Sequence, residues 1–272
     1  MIKIFLKIVF VILALIFLFL GYFSYFGFTT SKFNSLIKDQ IKKQNRELDI
    51  GIKKVKLHLD LKDISIKIKT KNAQIILNNS DKIDLEEISS SILISSYLQD
   101  KFVLKNISIK TKKNKLNSYI NLYKLSKRSL NYVLLNQLIK SGMAQINVDL
   151  SFDDAGRIKK NYSITGKIIN ADLYIPNNDN IRALNFNFSI NNNNYKLEKI
   201  LFQFNKINFN SEFLNIKQKN DNFSIEGNLN NKKNKINNDL ILLIFKNNLE
   251  NFDFSNSNFI SNSEFTFDLN KK

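Results

Sequence analysis

The sequence lacks several residue types on which common enzyme and metal sites depend. Cysteine is absent, which excludes disulfide bridges, thiolate zinc sites and cysteine nucleophiles. His58 is the only histidine, so metal sites built on histidine pairs, the HExxH pattern included, are excluded as well. Glycine is scarce, and the chain contains neither a glycine-rich phosphate loop nor a G-x-S-x-G elbow. The sequence therefore predicts a protein that is not an enzyme and that needs no metal or cofactor.

The remaining polar residues that could carry chemistry are interpreted as surface residues. His58 alternates with Lys56 and Asp60, so we expect it to face solvent from a strand. Two short acidic clusters lie in polar connections, where charged residues are usually solvated. These clusters are Asp81, Asp84, Glu86 and Glu87, and Asp153 with Asp154.

The basic balance of the chain does not indicate nucleic-acid binding. The formal net charge is +17, but the lysines are spread along the chain rather than gathered in one patch. The abundance of Asn, Lys, Ile and Phe and the scarcity of Gly and Pro are typical of an AT-rich coding sequence. A nucleic-acid-binding protein would need a clustered basic surface or a known module, and neither is visible.

Residues 8–28 form the one long apolar run, IVFVILALIFLFLGYFSYFGF. A helix needs ~20 mostly apolar residues to span the hydrocarbon core of a bilayer, and the aromatic residues at the far end resemble an interfacial belt. The alternative is a cleaved signal peptide. Lys3 and Lys7 suit either, but Gly21, Ser24 and Gly27 make a poor cleavage site. We therefore predict a retained transmembrane anchor over residues 1–28.

Residues 29–47 are predicted to form a short amphipathic helix after the anchor. Its apolar residues recur at helical spacing, and lysines occupy other faces. The helix could lie on the lipid surface or pack on the domain, and the sequence does not separate these two alternatives. The residues proposed for the membrane-surface helix are Phe33, Leu36, Ile37, Lys38, Ile41 and Lys42.

From residue 48 onward the pattern changes to a period of two, which predicts strands with one apolar face. About a dozen or more strands follow at a spacing of ~8–12 residues, which indicates an all-β sandwich, barrel or groove with antiparallel neighbours. Residues 122–140 depart from this pattern and predict a helix that ends at Ser141 and Gly142. In a closed sheet the apolar face would be a core, whereas in an open, curled sheet it would be a trough for acyl chains.

The order of these parts resembles that of a known family. An apolar helix and an amphipathic helix precede LDIGIKKVKLHLDLKDISIKIK, followed by DLEEISSSILISSYLQDKFVLKNISIK and LLNQLIKSGMAQINVDLSFDDAGRIKKNYSITGKIINADLYIP. This succession resembles the AsmA-like proteins of Gram-negative bacteria, the group that includes the TamB and YhdP types. Those proteins are usually much longer than this chain.

The resemblance implies an elongated, curled antiparallel sheet, a β-groove, over residues 48–272, with one or two covering helices. It implies a single-pass protein of the bacterial inner membrane with most of its chain in the periplasm. The orientation rests on the resemblance alone, because lysines lie on both flanks of the apolar run and the positive-inside rule does not decide it. The implied ligands are phospholipid acyl chains moving between the inner and outer membranes, and the implied partner is a longer β-groove or outer-membrane protein. The implied lipid-groove residues are Val55, Leu57, Ile64, Ile66, Ile107, Ile109, Ile146, Val148, Phe186 and Phe188.

Two alternatives remain open from the sequence. A bitopic β-jellyroll of the lipopolysaccharide-export type also has one N-terminal helix, although such domains are shorter and lack the helix at 122–140. A structural or envelope-assembly protein without a lipid ligand would use the same apolar face as an ordinary core.

Overall fold

The computed structural model is mainly β, with one large antiparallel sheet that is not closed and an apolar helix near its N-terminus. Among the strands that the structure describes, those at the two ends of this sheet each pair with a single neighbour. The residues that the structure describes are 2–32, 34–78, 81–94, 104–126, 130–153, 155, 157–175, 179–204, 206–219, 222–235 and 258–270.

Within these residues there are four helices and fifteen strands. The helices are α1 (Ile2–Tyr25), α2 (Asn34–Gln44), α3 (Leu116–Ser126) and α4 (Leu130–Leu138). The strands up to the middle of the chain are β1 (Phe28–Thr30), β2 (Leu48–Gly51), β3 (Val55–Asp60), β4 (Ser65–Lys71), β5 (Gln74–Leu77), β6 (Asp81–Leu93), β7 (Leu104–Thr111) and β8 (Asn114–Lys115). The later strands are β9 (Ile139–Ser151), β10 (Ser163–Ile175), β11 (Asp179–Asn191), β12 (Asn194–Phe204), β13 (Ile207–Lys219), β14 (Asn222–Lys235) and β15 (Asn258–Asn270).

The helix α1 is long and apolar enough to cross a membrane over Phe5–Tyr25, and none of that stretch is buried within the protein. It ends at Tyr25, and Gly27 two residues later has a φ of +68°, the left-handed conformation that commonly closes a helix. The Gly27 N–H donates to the Phe23 carbonyl at 3.2 Å. Because β1 begins at the next residue and pairs with β3, the apolar helix joins the sheet without a linker.

The helix α2 confirms the helical periodicity of its sequence and packs on β2. Lys38 and Lys42 both pair with the Asp49 carboxylate, with N–O distances of 3.1 and 3.4 Å. The Asn34 amide donates to the Ile52 carbonyl at 2.9 Å and thereby fixes the start of the helix to the chain after β2. These contacts attach α2 to the protein through its polar side chains.

The chain divides into two compact units. The N-terminal unit comprises Met1–Lys112 and Asn147–Tyr162, and the C-terminal unit comprises Lys113–Ile146 and Ser163–Lys272. In the N-terminal unit, β6 pairs with β5 near its start and with β4 near its end, so two groups of strands share it. The side chains buried in this unit include Val55, Leu77, Ile83 and Leu85, each 1% exposed.

The C-terminal unit is an antiparallel meander from β10 to β15, in which each strand pairs with the next. Its buried cluster consists of Leu116 from α3, Ala144 from β9 and Ala171 from β10, with Tyr119 and Ile146 packed against it. The helix α4 packs on α3 and β10. No described helix packs on β11 to β15 to any comparable extent.

A series of bulges interrupts consecutive strands of the C-terminal unit. Register shifts follow Ile168 in β10 and Arg182 in β11, and Lys199 in β12 has a left-handed φ of +54°. In β13 the shift falls beside Asn228 of β14, whose Oδ1 accepts from the Glu212 N–H at 2.8 Å. A bulge bends its strand and increases the local twist, so these strands depart from regular pairing at neighbouring positions.

Asparagine takes several of the tight turns that glycine would usually occupy. Asn192, between β11 and β12, has a φ of +54°, as the sequence Asn191 to Asn194 predicts for a turn. Asn72 before β5 and Asn78 after β5 also have positive φ, and Asn170 has it at a bulge inside β10. A chain with seven glycines therefore still makes left-handed turns, because the short amide side chain tolerates them.

Two sequence predictions are wrong in detail. The helix predicted for residues 122–140 is two helices that begin earlier, and β9 starts at Ile139, so Gly142 lies inside a strand and does not end a helix. Ile64, predicted to lie on a strand, sits in the turn before β4 with a φ of +46° and is 65% exposed. The sequence also predicts a strand or short helix at 240–245, a short helical or turn connection at 97–100, and a polar turn from Pro176 through Asn180. The first two and residues 176–178 lie outside the described residues, and β11 begins at Asp179.

Candidate functional site

Strand pairing places most of the predicted groove residues of the N-terminal unit on one face. Residues directly opposite each other in antiparallel strands point to the same side of a sheet. One row of such residues runs through Thr30, Val55, Thr70, Ile88, Ile109 and Val148. A second row runs through Phe28, Leu57, Ile68, Ser90, Ile107 and Leu150. A third contains Leu59, Ile66, Ile92 and Leu104.

These three rows, called here the N-terminal apolar face, differ in burial along the strands. Val55 is 1% exposed and belongs to the closed core, whereas Leu57, Ile66 and Ile107 are half-buried. Ile109 and Val148 are half-buried as well. Ile64 does not belong to this face, because it precedes the first paired residue of β4.

The C-terminal unit carries two longer rows, called here the C-terminal apolar face. The first runs across six strands through Ile164, Ile190, Tyr195, Ile216, Ile225 and Phe267. The second runs across the same strands through Gly166, Phe188, Leu197, Leu214, Gly227 and Phe265. The large side chains of both rows are half-buried or exposed, and Phe267 is 55% exposed.

Glycines in the second row make room for neighbouring aromatic rings. A Cβ on Gly166 would lie 2.6 Å from Cζ of Phe188, and one on Gly227 would lie 3.0 Å from Cζ of Phe265. The two rings therefore lie across the adjacent strand, as aromatic residues do when they cover a strand glycine. The sequence signal that could have identified Gly166 and Gly227 is a glycine in the apolar phase of a strand.

Three further predicted groove residues lie in the C-terminal unit. Phe186 is opposite Ile168, and its ring centroid is 6.3 Å from that of Phe188. Ile146 packs instead against the cluster under α3. Phe265 and Phe267 are not among the predicted groove residues, although their period-two spacing predicts a strand with one apolar face.

The N-terminal unit also has a cavity of about 650 Å³, lined mainly by residues of the opposite, polar face of the sheet and also by Leu59, Ile68, Ile107 and Leu150 of the apolar rows. Its lining follows two rows of opposed residues. One of them contains Lys69, Ser89, Ser108 and Asp149, and the other contains His58, Lys67, Ser91, Asn106 and Ser151. Ser24, near the end of α1, completes one side.

Ion pairs neutralise much of this polar cavity. The Lys67 ammonium pairs with Asp60, and its hydrogen bond holds the pKa of that carboxyl below its ordinary value. Lys69 pairs with Glu87 at 2.7 Å. His58 is half-buried beside Gly27, since a Cβ on that glycine would lie 3.0 Å from the imidazole ring. The histidine predicted to face solvent therefore lies at the junction of α1 with the sheet.

The proposed membrane-surface helix has a polar attachment to the protein. Lys38 and Lys42 both pair with Asp49, and Ile37 and Ile41 are half-buried. Leu36 lies within α2. Phe33 lies outside the described residues. These contacts favour the alternative in which the helix packs on the domain.

Among the described residues, no group of three or more His, Asp or Glu side chains is close enough to hold a metal ion. Comparisons with protein-family models, with curated proteins and with solved structures find no match for this chain.

Proposed function

We propose that this protein binds lipid acyl chains on its apolar faces while α1 anchors it in a bacterial inner membrane, with most of the chain in the periplasm. The observation that carries the proposal is the C-terminal apolar face, where two rows of large apolar side chains cross six strands and no described helix packs to a comparable extent on five of them, β11 to β15. Soluble monomers seldom leave a large contiguous apolar surface without a ligand or partner.

The chemistry of the C-terminal apolar face suits acyl chains better than polar ligands. Leu197, Leu214 and Phe188 supply only carbon atoms to the second row, and the aromatic pair Phe265 and Phe267 lies 5.2 Å apart at the outer strand. Each methylene transferred from water to such a surface contributes ~0.8 kcal/mol. A face that spans six strands at ~4.8 Å spacing is about 24 Å across. That length matches an extended acyl chain.

The resemblance to AsmA-like proteins supports phospholipid as the lipid and transfer toward the outer membrane as the process. No covalent chemistry is proposed, and the role is that of a carrier or adaptor that works with a longer β-groove or an outer-membrane protein. Two alternatives are distinguished by the crosslinking experiment described next. One is a lipopolysaccharide carrier of the jellyroll type, and the other is an envelope-assembly protein that binds no lipid.

The test uses a photoreactive amino acid, benzoylphenylalanine, at single positions of the full chain in cells. Leu197 lies on the C-terminal apolar face. Leu201, on the same strand, is 54% exposed and lines a cleft on the other face with Asn187 and Glu198. The two positions are therefore a matched pair of leucines on opposite sides of one sheet.

Irradiation is expected to crosslink phospholipid at position 197 and little or none at position 201, as identified by mass spectrometry. Crosslinking of lipopolysaccharide at 197 would favour the first alternative. Equal crosslinking at both positions, or no lipid at either, would contradict the proposal and favour the assembly alternative.

The proposed location has its own test. A reporter that is active only outside the cytoplasm, fused after residue 272, is expected to be active in the full chain. Activity of a reporter that works only in the cytoplasm would contradict the periplasmic location.

A further inference from the structure

The helix α4 presents apolar side chains to solvent. Its nine residues, LNYVLLNQL, include no charged side chain. Val133 is 46% exposed, Leu134 55%, Leu135 37% and Leu138 36%. Four large aliphatic residues exposed together on one short helix form a patch that is unusual for a free surface.

Basic side chains stand at both ends of this apolar patch. The Lys124 ammonium of α3 lies 5.1 Å from the ring centroid of Tyr132, near the start of α4. The Lys140 ammonium, two residues after α4, lies 5.2 Å from the ring centroid of Tyr174 on β10. Both lysines are held over aromatic rings by cation–π contacts, so their charges are fixed close to the patch.

Every charged residue in the sequence around the two helices is basic. Residues 113–146 include no Asp or Glu. The basic residues in this stretch are Lys113, Lys115, Lys124, Lys127, Arg128 and Lys140. Only one other stretch of similar length is free of Asp and Glu, residues 1–38, which include α1.

We propose that α3 and α4 form a docking site for a bilayer surface that contains anionic phospholipid. Val133, Leu134 and the other exposed residues of α4 would enter the interfacial layer, and the lysines would lie at the phosphates. Apolar helices with basic flanks bind anionic lipid in this way, with cations near the surface strengthening the association. A protein partner is disfavoured, because lysine is depleted at protein interfaces.

This site consists of residues other than those named in the apolar faces of the proposed function, and it would be a second membrane contact in addition to α1. Tethering by α1 raises the effective concentration of any bilayer within reach. A short helix that would bind lipid only weakly by itself can therefore be occupied in the full chain.

The absence of cysteine allows a direct test by single-site labelling. The full chain carrying Leu134→Cys is labelled with the polarity-sensitive fluorophore NBD and reconstituted through α1 into phosphatidylcholine nanodiscs. The matched control is Leu201→Cys, because that leucine is 54% exposed, against 55% for Leu134, and also belongs to the C-terminal unit. Vesicles of phosphatidylcholine, with or without phosphatidylglycerol, are then added. A parallel arm places phosphatidylglycerol in the nanodisc itself.

The label at position 134 is expected to gain intensity, shift to shorter wavelength and be quenched by spin-labelled lipid when phosphatidylglycerol is present in either arm. The label at 201 is expected to respond little in both arms. The arm in which quenching occurs identifies the bilayer that α4 contacts. No response at 134 in either arm, or the same response at 201, would overturn the proposal.

The electrostatic part is tested without altering the fold by raising the salt concentration, which is expected to weaken the response at 134. The double substitution Lys124→Gln and Lys140→Gln is expected to weaken apparent binding about tenfold, since cations near an anionic surface each contribute several-fold. A response that is equal on vesicles with and without phosphatidylglycerol would contradict the requirement for anionic lipid.

Discussion

The two units of this protein share the same alternation of apolar and polar residues, but they bury their apolar side chains to different degrees. In the N-terminal unit, Leu77, Ile83 and Leu85 are each 1% exposed, because β6 is shared between two groups of strands that enclose them. In the C-terminal unit, Leu197 and Leu214 are only half-buried, because β11 to β15 form a meander without a described helix against it. A period of two therefore specifies an apolar face, and the neighbouring elements decide whether that face becomes a closed core.

The largest effect expected from this comparison is on stability. Leu85→Ala should lower the free energy of unfolding by ~2–5 kcal/mol, because it opens a cavity in a closed core. Leu197→Ala, at a half-buried position, should cost only about 1 kcal/mol. Denaturant unfolding of the full chain in detergent, followed by circular dichroism, measures both. Equal losses would mean that the C-terminal apolar face is as closed as the N-terminal core.

Glycine-to-alanine substitutions distinguish a strand position with no room for a Cβ from one with room for it. Gly166→Ala should destabilise the C-terminal unit by ~1–3 kcal/mol, because its Cβ would overlap the Gln145 carbonyl and the ring of Phe188. The control is Gly51→Ala in the N-terminal unit, where the nearest atom would be 3.8 Å away. Thermal unfolding of the two variants is the measurement, and a loss at Gly51 as large as that at Gly166 would argue against the packing of Phe188 over the glycine.

The junction between α1 and the sheet gives a third comparison. Gly27→Ala should cost ~1–2 kcal/mol, because an L-residue resists the left-handed conformation and its Cβ would meet the Leu57 carbonyl at 2.5 Å. Gly21→Ala, within α1, has no atom of the protein within 4 Å of the added Cβ and should leave stability unchanged. Protease protection of residues 26–30 in nanodiscs reports the integrity of the junction. Unchanged protection in Gly27→Ala would show that the junction is not tightly packed.

The smallest expected effect is a pH dependence of the stability of the C-terminal unit, through Asp172. The Ser141 hydroxyl donates to the Asp172 carboxylate at 2.7 Å, and the Ala183 N–H donates at 3.0 Å. These hydrogen bonds, with that from Ser141 the largest contribution, lower the pKa of Asp172 below its ordinary value of 3.8. A lowered folded-state pKa means stability that is present above the ordinary value and is lost as pH falls through the folded one.

Ser141→Ala should therefore lower the free energy of unfolding by ~1 kcal/mol or less near neutral pH, and this difference from the unaltered chain should shrink as the pH falls below about 4. Unfolding measured in detergent at about pH 6 and about pH 3 tests the sign. A difference that stays constant or grows on acidification would contradict the role of the Ser141 hydrogen bond to the ionised carboxylate.

Local sequence patterns predicted helices, strands and turns well where a single feature, such as a long apolar run or an asparagine turn, was present. The apolar run at 8–28 overlaps α1, although the helix begins at Ile2, because an isolated lysine does not interrupt helical hydrogen bonding. The turn at Asn192 follows from the tolerance of asparagine for positive φ. The helix predicted for 122–140 is wrong at its end, because a glycine after a helical pattern predicts a helix stop, whereas Gly142 lies in β9 and leaves room there for Leu116 and Ala171.

The candidate site was predictable only in part, for the same reason. Period two identified Phe186 and Phe188 as members of an apolar face, and strand pairing places them there. Nothing local could show that Val55 is enclosed while Leu57, two residues later on the same face, is half-buried. The polar cavity beside His58 is lined by strands that are distant in sequence, so no local motif could predict it.

The sequence by itself determined an apolar helix long enough to cross a membrane and an antiparallel β architecture, because these depend on hydrophobic run length and on the alternation of side chains along a strand. Only the tertiary structure decided that the sheet stays open, which part of its apolar surface is buried, and where α4 leaves leucines exposed between lysines. Burial depends on which elements pack together, and that is set by long-range pairing and bulges rather than by any local pattern.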